Sequence, residues 1–489
     1  MKDIFKVSII ALSVQLGACS WFDSDDDSSN ADLVTKYDGV WLAEAYGEGI
    51  KIENGIFMTF DYTSDYCLVE DEDTIDSEAD IEEVIYSADS EHFKLIAGYG
   101  TKDFHSPGKE YTKTANGLMP SSCENGFIAQ QGESGYQRDV VRDLDLFFQT
   151  FAEYYVSFEL TGTDWNAIYN AAAAEVDSDT SDVELFDVLY NAIAALKDSH
   201  VSVTSPDIGV ASVNNEPVMW EQLLNEYAEQ NNLSLPIPAE HSAAVNEYIG
   251  DNIELYEAII ETYAEDESDI KTDGVLKWFK NEGVGYLEIG AMVDVASTGN
   301  LEDIEADIAA AKSAIESALT DLSDTDALIL DVRMNNGGRD VISMAFASYF
   351  IESAGTFAQK SVTDQFGVTT VSNYDLTPAA QTYTKPTFIL TSASTVSAAE
   401  TFVILLKAQD HIATVGQPTQ GALSDILDKT LPNGFMINLS NEKYLTTDGE
   451  WYERTGIPVD VQVPHFDLES RELVIDKSIE TVLAILSGE

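Results

Sequence analysis

Basic residues are scarce in this chain: 25 Lys and Arg stand against 87 Asp and Glu in 489 residues, a formal net charge of −62. Phosphate contacts need clustered cations, so the balance excludes nucleic acid as a partner and argues against docking on anionic lipid through protein charge. The acid excess reads instead as a solvated surface that keeps a protein soluble in a salty setting. No Asp/Glu run has the loop pattern of a calcium site. There are only three cysteines and six histidines, with no paired histidine near the cysteines, so a metal finds too few ligands and no cofactor is expected. No internal repeat is evident, and the one low-complexity stretch is the acidic DSDDDSSN, Asp23 to Asn30. What remains is ordinary: 44% hydrophobic and 23% charged, with length enough for two to four domains.

The N-terminus reads as an export signal. Lys2 and Lys6 precede the apolar stretch Val7 to Leu16, which is too short to span a bilayer. Leu16-Gly17-Ala18-Cys19 resembles a bacterial lipobox, which implies cleavage that leaves Cys19 as the lipidated first residue. Ser20 after it, by the same resemblance, implies the outer membrane, facing the periplasm or the cell surface. Residues 1–19 are then the signal and 20–32 a disordered acidic tether. The membrane contact expected is through that anchor alone. In an exported protein the two remaining cysteines, Cys67 and Cys123, most simply form one disulfide; two free thiols are the alternative.

Residues 33–135 have short, strand-like patterning, and Asn54-Gly55 between alternating apolar runs signals a hairpin. A small β domain is expected there. Residues 136–205 turn to helical spacing, with a capping box at Ser181 and Glu184, and end in LKDSH followed by a strand-like VSVT. Residues 206–275 are helical and acidic, and read as an insertion or cap. From 276 to 489 strands and helices alternate: GYLEI, then a helix through EDIEADIAAAKSAIESALTDL; ALILDVR, then VISMAFASYFIESA; PTFILTS, then SAAETFVILLKAQD; then IATVGQ. Near-continuous apolar strands in this alternation predict a largely parallel, covered sheet.

Two stretches carry the chemistry. TSASTVSAAETFVILLK places Ser397 where a buried strand turns into an apolar helix, among unpaired N–H groups at the positive end of the helix dipole. LILDVRMNNGGRD ends a strand in an Asn-Asn-Gly-Gly turn, whose glycines let another N–H approach a ligand. A nucleophile and donors for a developing oxyanion are the parts of an acyl-transfer site. A bland N-cap serine is the competing reading of Ser397.

Taken in order, LKDSH, DVRMNNGG, TVSAAE, VGQPTQGA and YERTGIPVDVQV resemble the C-terminal processing peptidases of the tail-specific protease superfamily, in their tricorn-like branch. The resemblance runs discontinuously from about Asp139 to the end. It implies a crotonase-like, Clp-protease-like α/β catalytic domain, hence a multidomain α+β chain with the N-terminal β domain and the helical region. It makes Ser397 the nucleophile. The serine–lysine branch needs a lysine where this chain has Ala422, and Lys407 lies roughly 15 Å up the Ser397 helix at 1.5 Å per residue, so the dyad is excluded. The tricorn-like branch implies His200 as general base, Ser199 as the second serine and Glu453 as the supporting glutamate, with Glu450 as its rival. Oxyanion donors are then Ala398 and either Gly337 or Gly338, in a pattern with Asp331 and Arg333. His411 and His465 compete with His200, and Glu400 reads as structural. The family often carries a PDZ module; here the stretch after His200 looks helical and lacks the module's Gly-rich carboxylate loop. The implied activity is serine-type hydrolysis of peptides or unfolded proteins. Two alternatives stay open: a non-catalytic binder of a hydrophobic ligand on the same scaffold, and an acidic surface-assembly lipoprotein.

Overall fold

The computed structural model of the protein describes residues 33–87, 89–124, 126–297 and 303–488. Residues 1–32, on which the expected export signal, tether and lipidated Cys19 fall, lie outside them. The described chain begins with an antiparallel sheet of seven strands: β1 (Gly39–Ala43), β2 (Glu48–Glu53), β3 (Ile56–Tyr62), β4 (Cys67–Thr74), β5 (Ile85–Ser87), β6 (His92–Leu95) and β7 (Glu110–Lys113), in the order 4-3-2-1-7-6-5. A short helix α1 (Glu78–Val84) precedes β5. Asn54 and Gly55, both at positive φ, make the tight turn between β2 and β3, the geometry that turn type requires. Cys67, at the start of edge strand β4, is disulfide-bonded to Cys123, 56 positions along the chain.

Helices α2 (Val140–Tyr154), α3 (Phe158–Thr161), α4 (Trp165–Ala173) and α5 (Asp182–Ala194) follow. Asp139, Asp164 and Ser181 cap α2, α4 and α5, each accepting an N–H of the first turn. Their apolar stripes do not form a core of their own. Phe147, Phe151, Leu185 and Leu189 join Trp41, Ile50 and Phe93 of the sheet in one cluster. The change at 135–136 is therefore a change of secondary structure within a shared core. Strands β8 (Ser202–Ser205) and β9 (Gly209–Ser212) close this segment.

Beyond α6 (Met219–Gln230) and α7 (Ser242–Glu261) comes the central sheet. It is built from β10 (Lys271–Asp273), β11 (Leu276–Asn281), β12 (Val284–Ile289), then α8 (Ile304–Asp321), β13 (Ala327–Asp331) and α9 (Asp340–Ala347). A hairpin, β14 (Gly355–Thr363) and β15 (Thr369–Leu376), interrupts before β16 (Thr387–Thr391), α10 (Ala398–Leu406) and β17 (Ile412–Gly416). β18 (Ile426–Thr430), β19 (Met436–Ser440), β20 (Lys443–Thr446), β21 (Val461–Gln462), α11 (Leu468–Leu473) and α12 (Lys477–Ser487) complete the chain. The central order is 10-11-12-13-16-17-21, parallel from β12 onward. This is the largely parallel, covered α/β sheet that the strand–helix alternation predicts.

Two expectations change. Helix α9 stops at Ala347 rather than running on through IESA, because the Ser348 and Tyr349 carbonyls accept N–H bonds from Ala379 and Tyr383 in a crossing loop. The acidic segment 206–275 is more than a cap. Alternate residues of the strands face opposite ways: Leu287, Leu330 and Ile389 pack on α8, α9 and α10, while Tyr286, Ile329, Phe388 and Leu390 pack on Tyr256 and Ile260 of α7 and Ile479 and Val482 of α12. Helix α7 thus supplies the outer layer of the sheet's second face.

Candidate active site

At the C-terminal end of β16 the chain turns sharply into α10. The turn is stitched to the neighbouring strand end by its small hydroxyl residues: Ser392 Oγ donates to the Arg333 carbonyl at 2.6 Å and Thr395 Oγ1 to the Val332 carbonyl at 2.9 Å. Ser397 is the N-cap residue of α10, at φ 58°, ψ −127°. A β-carbon-bearing residue in that region costs on the order of 1–3 kcal/mol and persists only where its surroundings enforce it. Its side chain is half-buried, whereas α10 is buried throughout. Ser397 thus stands on a strained strand-to-helix elbow, less buried than the helix it opens.

The Asn-Asn-Gly-Gly turn lies against this elbow. Asn335 is fully buried and bridges: its Nδ2 donates to the Ile289 carbonyl, its Oδ1 accepts the Gly337 N–H at 2.8 Å, and its carbonyl accepts the Val396 N–H. Gly337 has φ 96°, and a β-carbon there would lie 2.7 Å from Ser397 Cβ and 3.0 Å from the Ala398 nitrogen. Gly338 sits opposite Met292 in a parallel bridge whose bonds use Gly337 O and Arg339 N, so the Gly338 N–H points away from that bridge. Arg333, also fully buried, forks onto Asp331 and reaches Asp476 with Nη1 at 2.6 Å, which locks the strand end before the turn.

A third segment, 419–424, joins the parts. Glu400, in the first turn of α10, accepts from Thr419 Oγ1, the Gly421 N–H and the Ala422 N–H, and also from the Ser397 N–H at 3.2 Å. Burial pushes its carboxyl up to about 7 against these donors. The Ser397 N–H also donates to the Ala422 carbonyl at 3.0 Å. Ala422 is buried and serves here as main chain only. Lys407 binds the Pro458 carbonyl, away from the elbow.

Glu453 belongs to a fourth segment and packs on the third. It is 1% exposed, and its Oε2 accepts the Leu423 and Ser424 N–H groups, each at 3.1 Å. Burial, Asp198 and Glu400 hold its carboxyl well above the usual carboxylate range. Glu450 lies instead on the exposed turn after β20. The two loops meet backbone to backbone: Gly421 (φ 79°) could not accept a β-carbon without meeting Arg454 and Gly456 main chain at 2.7 Å.

His200 arrives from 197 positions upstream because β8, directly after it, pairs antiparallel with β19, Val203 opposite Ile437. Arg454 Nη1 grips the Leu196 carbonyl at 2.6 Å just before it. The ring is buried, which lowers its pKa; Asp198, the Ser424 main chain, Asp425 and Asp340 act the other way. Among the described residues no hydrogen bond joins Ser397 Oγ to the His200 ring, or Glu453 to either. His200 Nδ1, Ser199 Oγ and Glu453 Oε1 are buried polar atoms without partners. The competing histidines sit elsewhere. His465 packs edge-on against Tyr256 and is lowered to about 4 by burial and by Arg333. His411 directly precedes β17, at the end opposite the elbow, where its carbonyl accepts the Thr387 N–H.

Sequence reasoning missed Asp198, Tyr155, Arg454 and the bridging role of Asn335. It also missed a strap. Residues 214–219, between β9 and α6, cross the site loops: Met219 N–H donates to Ser394 Oγ, Asn215 Nδ2 to the Arg454 carbonyl, and Glu216 and Gln420 exchange two bonds.

Residues 283–463 match the model for peptidase family S41. The carboxy-terminal processing protease CtpA of Bacillus subtilis is 30% identical over 134 residues, which are 27% of this chain and 28% of that relative, so the match spans less than a third of either. A crystal structure from Parabacteroides merdae, assigned as a peptidase, superposes with a TM-score of 0.56 over 71% of this chain and 97% of its own, at 21% identity, a likeness of fold.

Proposed function

We propose, from the match of residues 283–463 to the model for peptidase family S41, that the protein is a serine-type peptidase acting on peptides or unfolded proteins. The observation that carries the reading is the convergence of Ser397, Glu453 and the His200 turn on the single segment 419–424, with the Gly-Gly turn packed against Ser397 itself. Ser397 Oγ attacks the scissile carbonyl while His200 takes its proton and returns it to the leaving amine. A lowered pKa keeps the imidazole neutral and able to accept at neutral pH. Water then hydrolyses the acyl-enzyme by the reverse relay.

The oxyanion is received by the Ala398 N–H, an unpaired first-turn donor of α10, and by the Gly338 N–H. Gly337 is the lesser candidate because Asn335 already holds its N–H. Glu453 and Ser199 orient the imidazole, their open polar atoms closing on it when substrate fills the site; resting catalytic contacts are often loose. The strap 214–219 limits access, so extended chains enter by displacing it. Export and lipid anchoring at Cys19 remain part of the proposal.

Cleavage of a denatured protein and of fluorogenic peptides tests the reading. Wild type is expected to cleave and Ser397→Ala to be inactive while equally folded. Cleavage that survives in Ser397→Ala would overturn it. Loosening the strap with Asn215→Ala, which releases the Arg454 carbonyl from the strap side, is expected to favour long over short peptides; an unchanged ratio would refute the gating role.

A further inference from the structure

We propose that Asp198 is a positioning residue for the catalytic base, fixing the turn that presents His200 and supplying the charge that meets the imidazolium formed during acyl transfer. The inference rests on His200 being that base. Asp198 is 3% exposed, and both its carboxylate oxygens are engaged. Oδ1 accepts the His200 main-chain N–H at 3.0 Å, and Oδ2 accepts the Tyr155 hydroxyl at 3.0 Å. The Asp198 carbonyl accepts the Val201 N–H at 3.0 Å and closes the turn around the histidine. Lys197, just before it, is held at φ 49°, and the Leu196 carbonyl is gripped by Arg454. A buried carboxylate wired in this way to the histidine's own residue, and to a buried tyrosine of the neighbouring helical segment, sets both where the imidazole stands and what charge it meets.

The other groups facing His200 are less suited to that role. From the loop before β18 come the Ser424 main chain and Asp425, whose carboxylate is exposed to solvent. From the first turn of α9 comes Asp340, whose Oδ2 already accepts the hydroxyls of Tyr374 and Tyr444. From the loop before β21 come Glu453 and Arg454. Glu453 spends Oε2 on two main-chain N–H groups, and its raised pKa favours the neutral acid. A neutral carboxyl can orient an imidazole but brings no charge to a buried imidazolium. The division of labour is then orientation by Glu453 and countercharge by Asp198.

The test follows His200 by NMR in the [15N]histidine-labelled protein, its resonance assigned with His200→Gln, in wild type, Asp198→Asn and Asp425→Asn. Loss of a carboxylate beside a buried imidazole is expected to lower the His200 titration midpoint by about one pH unit or more in Asp198→Asn. Asp425→Asn, which removes a solvated charge, is expected to move it less. The acid limb of the second-order rate constant for phosphonylation of Ser397 by a fluorophosphonate should move with the midpoint in Asp198→Asn and return in Asp198→Glu. Asp198→Ser, whose hydroxyl can still accept the N–H two residues on, is the second variant if the asparagine fails to fold. An unchanged midpoint in either folded variant would overturn the inference. The titration needs no activity. A wild type that fails to react with the probe would therefore sink the peptidase reading, while the role of Asp198 would still be decided by the midpoints.

Discussion

Replacing Gly337 with alanine should disable the serine without unfolding the protein. The added β-carbon would lie 2.7 Å from Ser397 Cβ and 2.7 Å from the Val396 carbonyl oxygen. Carbon atoms pack best at about 3.5–4.0 Å, so the turn and the elbow must part by roughly 1 Å. A shift of about that size at an acyl-transfer centre costs on the order of 100-fold in rate. The left-handed φ of 96° adds backbone strain on the order of 1–3 kcal/mol, which appears in stability. The two effects can be separated with Gly367→Ala. That residue sits at φ 80° in the β14–β15 hairpin with nothing within 4 Å of the new carbon, so it carries strain without the clash. The assay is the second-order rate of fluorophosphonate labelling, alongside urea unfolding of each variant. Gly337→Ala is expected to label about 100-fold more slowly than Gly367→Ala. Rates within threefold of each other would refute the claim that this glycine exists to let the turn touch the nucleophile.

The remaining predictions concern the support of the site and the frame. Glu453→Ala, which removes the orienting carboxyl, should slow labelling about tenfold or more, whereas Glu450→Ala, on its exposed turn, should leave the rate unchanged; equal effects would show that the buried glutamate is not special. Removing the Cys67–Cys123 bond by a double alanine substitution should cost about 4 kcal/mol by chain entropy for a 56-residue separation, read as a lower urea midpoint, and a loss under 1 kcal/mol would contradict this. Glu288 and Glu400 are pushed up to about 7 and Asp143 to about 6, each mainly by burial. The folded chain keeps these protons where the unfolded chain has released them, so this stability is present near pH 4.5 and is lost as pH rises through 6 to 7. Buried His465, lowered to about 4, and His200, also lowered, work the other way as pH falls below 6.5. At about 1.4 kcal/mol per pH unit and group the three carboxyls outweigh them, so the urea midpoint should be higher at pH 5 than at pH 7.5, and the reverse order would refute the assignment.

What could be read directly from the sequence was local. The strand–helix alternation after residue 276 follows from short apolar runs punctuated by turn residues, and the sheet has that order of elements. The Asn54-Gly55 turn is equally local, since two residues set its dihedral angles. What could not be read depends on partners far along the chain. Helix α7 has an acidic pattern suited to a surface cap, yet Tyr256 and Ile260 complete a sheet face whose other half comes from β12, β13 and β16. Tyr155 looks like one more apolar position after α2, and only the folding of LKDSH against it makes its hydroxyl a partner of Asp198. His200 stands where it does because Val203 pairs with Ile437 across more than two hundred residues. The glycines of the 419–424 and 453–456 loops are needed for the contact of two backbones, which no local pattern signals.

The most direct test of the account is to treat the folded protein with a fluorophosphonate and locate the adduct by mass spectrometry, in wild type, Ser397→Ala and His200→Ala. The account predicts a single adduct on Ser397 in wild type, none in Ser397→Ala, and labelling slowed at least 100-fold in His200→Ala. An unlabelled wild type, or labelling at Ser397 that is indifferent to His200, would contradict it.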